Sequence, residues 1–442
     1  MQCREQHPSR NRSSRRCAVI AAALALFVVA GVTGAQAQSF QVLHTFTDGS
    51  DGYYPESVVV DGAGNLYGNT AYGGNYESSC NYVGTPTGCG VVFKMTHHAS
   101  GWIFNPLASF DGANGYDPQQ AITVAPNGTL YSTTFEGGPG GPECHYFGPG
   151  CGVVYQLQPP ASICRSESCP WTVTDIHQFV GGPGDGQFPE LGGLNMDAAG
   201  NLYGTTLAGG EYEDGMLYEL SPARNGWTMS VLYNFGWAVT WGFGPEGGVA
   251  FDRYGNLYGV TEEGGEYGLG VVYQLSPSPS GWNLHPLHSF NEETDGASPL
   301  GTPVLDSAGN IYGTTFSYGP NNGGTVWELS PTQGGWNFSV LYAFAAGEGP
   351  DGGLLRDSAG NLYGATVSGG ASGHGAVFKL SPGNGGWTFT SLHDFTGGND
   401  GASPLSNLSM DSAGNLYGVT EYGGQVEQNC ASGCGVVFEI TP

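Results

Sequence analysis

The chain has 442 residues, 78 of them glycine, and carries 38 acidic against 11 basic residues. Arg4, Arg10, Arg12, Arg15, Arg16 and Glu5 all lie in the first 37 residues, so the remainder holds six basic and 37 acidic residues, a net charge of −31. Binding a polyanion needs cations that displace counterions, so this balance argues against nucleic acid and an anionic membrane surface as partners, while it favours solubility and the attraction of cations.

Residues 1–37 read as an export signal. The arginines precede an uncharged run from Ala18 to Val32, and Ala35-Gln36-Ala37 supplies a small-x-small cleavage site. The run is shorter than the roughly 20 residues of a spanning helix. Cleavage after Ala37 is therefore expected, with no membrane insertion afterwards and a secreted or periplasmic location. Cysteine use agrees. Beyond Cys3 and Cys17, eight cysteines fall in close pairs, Cys80/Cys89, Cys144/Cys151, Cys164/Cys169 and Cys430/Cys434, none with CxxC spacing. An even number in an oxidising compartment reads as disulfides.

Residues 38–442 read as a single domain of repeats. "DSAGNLYG" at 357–364 returns at 411–418, and as "DSAGNIYG" at 306–313. Related cores place a tyrosine at Tyr67, Tyr131, Tyr203, Tyr258, Tyr312, Tyr363 and Tyr417, which makes seven units spaced by 51 to 72 residues. No helical apolar period appears, and the composition is that of an all-β protein. The sixth unit shows four strands, at 352–357, 361–367, 375–382 and 387–395. Alternation in the last predicts Trp387, Phe389, Ser391 and His393 on one face. The Ala-Gly before Asn361 supplies a tight turn, and Gly364 is expected to admit neighbouring backbone. Four antiparallel strands repeated around an axis make a propeller blade. The last unit stops after its third strand, at 435–442, while "SFQVLHTF" at 39–46 carries the fourth-strand pattern. The expected fold is an all-β, seven-bladed β-propeller, closed by the N-terminal strand 39–46 pairing in the last blade. Such closure removes an exposed strand edge.

The block D-x-A-G-N-L-Y-G-x-T…G-G…G-V-V-F-x-L-S-P…G-W resembles the GloVer tandem repeat of exported bacterial proteins and is loosely similar to NHL-type propeller repeats. The resemblance covers residues 39–442. It implies a secreted propeller and carries no activity with it.

In a propeller the fourth-to-first and second-to-third connections share one face. Here those loops are long and variable, and variable loops on a rigid scaffold are where function usually sits. Three cysteine pairs belong to units one, two and seven, which a closed ring makes neighbours. Tyr72, Tyr76, Tyr82, Tyr146, Phe147 and Tyr422 come from second-to-third loops, along with His145. Trp237 and Trp241 come from a fourth-to-first loop, and Tyr53, Tyr54, Tyr116, Phe188 and Phe243 enter beside them. Flat rings stack on sugar C–H groups and polar neighbours take the hydroxyls, so these residues are candidate ligand contacts for an extracellular glycan, with a protein partner as the alternative. Packing of the loops against the ring is the plain structural alternative.

There is no HExxH, GxSxG or phosphate loop. Glu136, Glu262, Glu263 and Glu421 follow second strands, and paired carboxylates suit glycoside chemistry. They are the candidates for an alternative reading as a glycoside hydrolase or lyase acting at the central mouth. A structural surface or matrix protein is the third reading. His44, His177, His288 and His393 share one fourth-strand position that holds Ala108, Tyr233 or Tyr342 elsewhere, so they read as structural. "DGSDG" at 48–52 faintly resembles a Ca2+ loop. Calcium takes six to eight oxygens, and an Asp-Gly turn is the preferred reading. No cofactor is expected, and the protein is expected to be a monomer.

Overall fold

Among the described residues, strand pairing builds seven antiparallel blades, each ordered first, second, third, fourth strand, with two further two-stranded ribbons. The computed structural model describes residues 38–442 apart from 77–79, 83–84, 141–143, 145–149, 161–170, 190–192, 237–241 and 406. The export signal, His145, Tyr146, Phe147, Trp237 and Trp241 therefore lie outside the described residues. So do Cys164 and Cys169, and with them one of the four expected disulfides. Among the residues described there is no helix, and so none long and apolar enough to cross a membrane.

Blade 1 comprises Tyr53–Val60, Leu66–Tyr72, Val91–His98 and Gly101–Ser109. Blade 6 comprises Leu355–Arg356, Leu362–Thr366, Ala376–Gly383 and Gly386–Asp394. Blade 7 takes its second and third strands from Leu416–Tyr422 and Val436–Thr441, and its fourth from Ser39–Thr45. The N-terminal strand runs antiparallel to the last one, from Ser39 opposite Thr441 to Thr45 opposite Val436. The ring is closed as the sequence pattern predicts.

Every fourth strand carries a bulge at the same place, including the N-terminal one, where register shifts between Val42 and His44. The extra residue interrupts the period of two and turns the rest of the strand over. This corrects the simple alternation. In blade 6 Phe389 stacks on Tyr342 of blade 5, with ring centroids 4.4 Å apart, while His393 stacks on Phe40 of blade 7 at 3.7 Å.

The core is divided among seven apolar clusters, one between each pair of neighbouring blades. The repeated Leu and Tyr serve opposite neighbours. Leu362 packs with Tyr312 and Phe344 of blade 5, and Tyr363 with Phe438 and Ile440 of blade 7. Each letter of the repeat has a bond to make. Asp357 Oδ1 accepts the amides of Ala359 and Asn361 at 2.9 and 2.8 Å, and its Oδ2 accepts Asn361 Nδ2 at 2.7 Å and the Tyr363 hydroxyl at 3.1 Å. Gly364 is needed for a different neighbour than expected. A Cβ there would stand 2.6 Å from Phe378 Cζ, so a third-strand ring, rather than backbone, occupies the space.

The four histidines are structural, and each has an acidic partner in the loop that follows. Nε2 of His44, His177, His288 and His393 lies 3.2, 3.0, 2.9 and 3.2 Å from Asp51, Asp185, Asp295 and Asp400. His44, His288 and His393 also stack on Phe104, Phe338 and Phe40 of the next blade, so each of these rings is held against that blade and tied to its own loop.

Candidate tyrosine and carboxylate mouth

The variable face is built on a joint between successive blades. The residue before the inner-strand proline has a left-handed backbone, with φ of 54° at Tyr54, 60° at Asp117 and 56° at Phe188. Its amide is thereby aimed at the preceding blade. Tyr54 N–H donates to Cys434 O at 3.1 Å, Asp117 N–H to Cys89 O at 3.2 Å and Phe188 N–H to Cys151 O at 2.9 Å. Those three acceptors belong to the three described disulfides, Cys430–Cys434, Cys80–Cys89 and Cys144–Cys151. The bridges therefore brace the joints on which blades 1, 2 and 3 hang. The fourth expected pair, Cys164 with Cys169, lies outside the described residues. Disulfides of this kind persist in oxidising compartments.

The joints gather the tyrosines. Tyr54 of blade 1 meets Tyr422 of blade 7 edge-on at 5.1 Å, Tyr53 at 4.9 Å and Tyr72 at 6.0 Å, and Tyr72 reaches Tyr116 of blade 2 at 6.1 Å. Tyr53 and Tyr116 are buried and serve packing. Tyr54, Tyr72 and Tyr422 are half-buried. Tyr76 is 40% exposed, and its hydroxyl bonds the Asp48 carboxylate, which also accepts Asn429 N–H at 3.2 Å. Tyr82 lies in the short ribbon Asn81–Tyr82 paired with Thr85–Pro86.

Carboxylates lie among these rings. Glu56 is held well above the usual carboxyl range, first by burial and then by the charges of Asp117, Glu421 and Asp351. Burial, then the field of Asp351, raises Glu421 against a hydrogen bond from Tyr422, and burial raises Asp351. These four acids come from blades 1, 2, 7 and 6. A residue of blade 1 can feel one in blade 6 only near the axis, so the set marks the central mouth. Of the predicted carboxylates only Glu421 belongs to it. Glu136 is buried in blade 2 and is pushed up to about 7 by that burial alone. Glu262 and Glu263 follow the second strand of blade 4, three blades from Glu421.

Of these four acids the sequence pattern singles out Glu421 alone, and it passes over Glu56. The available signal is the residue after the inner-strand proline, as in Pro55-Glu56, Pro245-Glu246 and Pro350-Asp351. In the 48–52 loop Asp51 accepts the amides of Thr47 and Gly49 at 3.1 and 3.3 Å, which is the chemistry of a turn. Among the described residues no group of three or more His, Cys, Asp or Glu is placed to hold a metal ion.

The family model described as the Gloeobacter/Verrucomicrobia repeat matches residues 78–302, 148–355 and 245–442. The chain belongs to this family. Each match of the Gloeobacter/Verrucomicrobia repeat spans several blades, and within a blade such as blade 6 the Asp, Asn and Tyr tie the inner turn while the glycine seats a third-strand ring. Among curated proteins none matches the sequence. Solved structures with a similar course include a gluconolactonase from Xanthomonas campestris, 14% identical over 65% of this chain and 78% of that one, with a TM-score of 0.38. A protein assigned as an oxidoreductase (glucose dehydrogenase) from Thermus thermophilus is 15% identical over 73% of this chain and 96% of that one, at 0.41. A protein of unknown function from Dyadobacter fermentans is 10% identical over 92% of this chain and 98% of that one, at 0.44. No residue role passes from these proteins to this repeat protein.

Proposed function

We propose that the protein is an exported binding module, a monomer whose ligand is an extracellular carbohydrate held at the mouth of blades 7, 1 and 2. The observation that carries this reading is the half-buried set Tyr54, Tyr72 and Tyr422 standing beside Glu56 and Glu421. Partly exposed rings offer stacking surface, and the adjoining carboxyls offer hydroxyl partners. The disulfide-braced joints hold these groups in place before the ligand arrives, which lowers the entropic cost of binding. Export rests on the pattern of residues 1–37 and on the disulfides. The test is retention on a panel of insoluble polysaccharides. The wild type should be retained by at least one, and Tyr422→Ala should weaken that retention about tenfold or more, as loss of an aromatic anchor does. Absence of retention on every member of a broad panel counts against the reading.

A second reading has one observation in its favour. Glu56, protonated well above the ordinary range, lies within the field of Glu421 and Asp351. A protonated acid beside a carboxylate is the pairing that glycosidases use. Release of reducing ends or unsaturated products from a bound polysaccharide, lost in Glu56→Gln, would establish a hydrolase or lyase.

A further inference from the structure

Blade 4 departs from the repeat at its tightest turn. Between the Asp and the Gly of the first-to-second connection, five blades place two small residues: Gly62-Ala63, Ala198-Ala199, Ser307-Ala308, Ser358-Ala359 and Ser412-Ala413. Blade 4 places Arg253-Tyr254 there, and Arg253 is one of only six basic residues after position 37. The turn itself does not require them. Asp252 Oδ1 accepts the amides of Tyr254 and Asn256 at 2.8 and 2.9 Å, just as its counterparts accept theirs.

Nor does the core require them. Tyr254 is 70% exposed, more than any other large apolar side chain described. Arg253 donates from Nη2 to the Tyr254 hydroxyl at 2.8 Å, and its guanidinium lies 4.9 Å from the centre of that ring. The two side chains form one plate. That plate stands at a cavity of about 580 Å³ between blades 4 and 5, which Tyr258, Gln274, Ser307 and Trp336 also line. A volume of this size falls in the range of small-ligand sites, roughly 300–1,000 Å³. The edge-on contact of Trp336 with Tyr258 recurs as Trp387 with Tyr312 and Trp227 with Tyr131, so it is a blade joint common to the ring. The plate is what blade 4 adds.

The charges choose among ligands. Asp252 and Asp306 line the cavity. Their oxygens are already taken, by Asn256 and Tyr258 in one case and by Asn310 and Tyr312 in the other. They offer no free acceptor, yet their charge and that of the whole chain disfavour an anion. Arg253 offers N–H donors that suit hydroxyl oxygens. We propose that this cleft, on the face opposite the tyrosine mouth, binds a neutral sugar of one or two rings, with Tyr254 as stacking platform and Arg253 as hydroxyl donor. The site is independent of the mouth.

The repeat supplies a fold-safe control. Arg253→Ser with Tyr254→Ala rewrites the turn as blade 5 already has it at Ser307-Ala308. Isothermal titration with cellobiose, maltose, xylobiose and lactose, and with digalacturonate as the anion, is run on the wild type, on that double variant and on Tyr422→Ala. At least one neutral disaccharide should bind the wild type and Tyr422→Ala alike, and bind the double variant about tenfold more weakly or worse. Equal binding by wild type and double variant overturns the proposal, as does binding of digalacturonate alone or of no neutral disaccharide. Loss in Tyr422→Ala with full binding by the double variant overturns the cleft and supports the mouth.

Discussion

A Cβ placed on Gly435 would stand 2.4 Å from Pro55 Cδ, across the junction where the last blade meets the first. The same clearance recurs at Gly90 and Pro118, Gly152 and Pro189, Gly215 and Pro245, Gly270 and Pro299, and Gly375 and Pro404, at 2.4 to 2.9 Å. The junction that closes the ring is thus built like those through which the chain runs continuously.

Gly435→Ala should therefore destabilise the whole ring. The position has φ of +89° and a backbone oxygen, Thr420 O, also 2.4 Å from the added carbon. A loss of about 2–4 kcal/mol is expected from overpacking plus backbone strain. Gly62→Ala, where the added carbon meets nothing within 4 Å, should leave thermal unfolding unchanged. Equal melting of the two variants would show that the closing joint is loose.

The N-terminal strand should behave as a clasp. Phe40 stacks on His393 and packs edge-on against Phe395, while His44 stacks on Phe104 at 4.1 Å, so one strand grips blades 6 and 1 together. Phe40→Ala is expected to cost roughly 2–4 kcal/mol. Deleting residues 38–46 bares the edge of Val436–Thr441, and light scattering should then report self-association.

Asp295 predicts a dependence on acid. Burial works against its ionisation, but hydrogen bonds from His288 and Thr294, and the charge of His288, hold it below the ordinary carboxyl value. A carboxyl depressed in the folded state stabilises above its unfolded pKa, and the contribution is lost as pH falls through the folded one. Asp295→Asn should lower stability at pH 7 by about 1–2 kcal/mol. Denaturant titrations should show the gap to wild type closing below about pH 4, where the unfolded carboxyl protonates.

Glu136 predicts the opposite slope. Its pKa is pushed up to about 7 by burial, so the folded state holds a proton that the unfolded state has released between pH 4.5 and 7. Stability falls as pH rises through that window. Glu136→Gln should be neutral below pH 4.5 and stabilising at pH 8, by roughly 2–3 kcal/mol. Melting curves of the two proteins that run parallel across this range would remove burial as the cause.

The candidate site is only partly legible in the sequence. Tyr54, Tyr72 and Tyr422 are visible there as variable-face aromatics, because loop length and the propeller rule place them. Glu56 is not, since its importance comes from Glu421 and Asp351, which belong to other blades and meet it only at the axis. His288 is recognisable as structural from its recurrence, whereas its bond to Asp295 needs the loop's actual path. Alternation puts His393 on the face of Phe389 because a bulge leaves no mark in such a pattern.

By itself the sequence determined the blade count, the four-strand unit and the clasp at 39–46, because a repeat states its own period and a missing strand must be found where its pattern lies. Only the tertiary structure decided which side chains share a surface. Contacts across the axis and through the blade joints follow from closing seven twisted sheets on one another, and no local run of residues encodes that meeting.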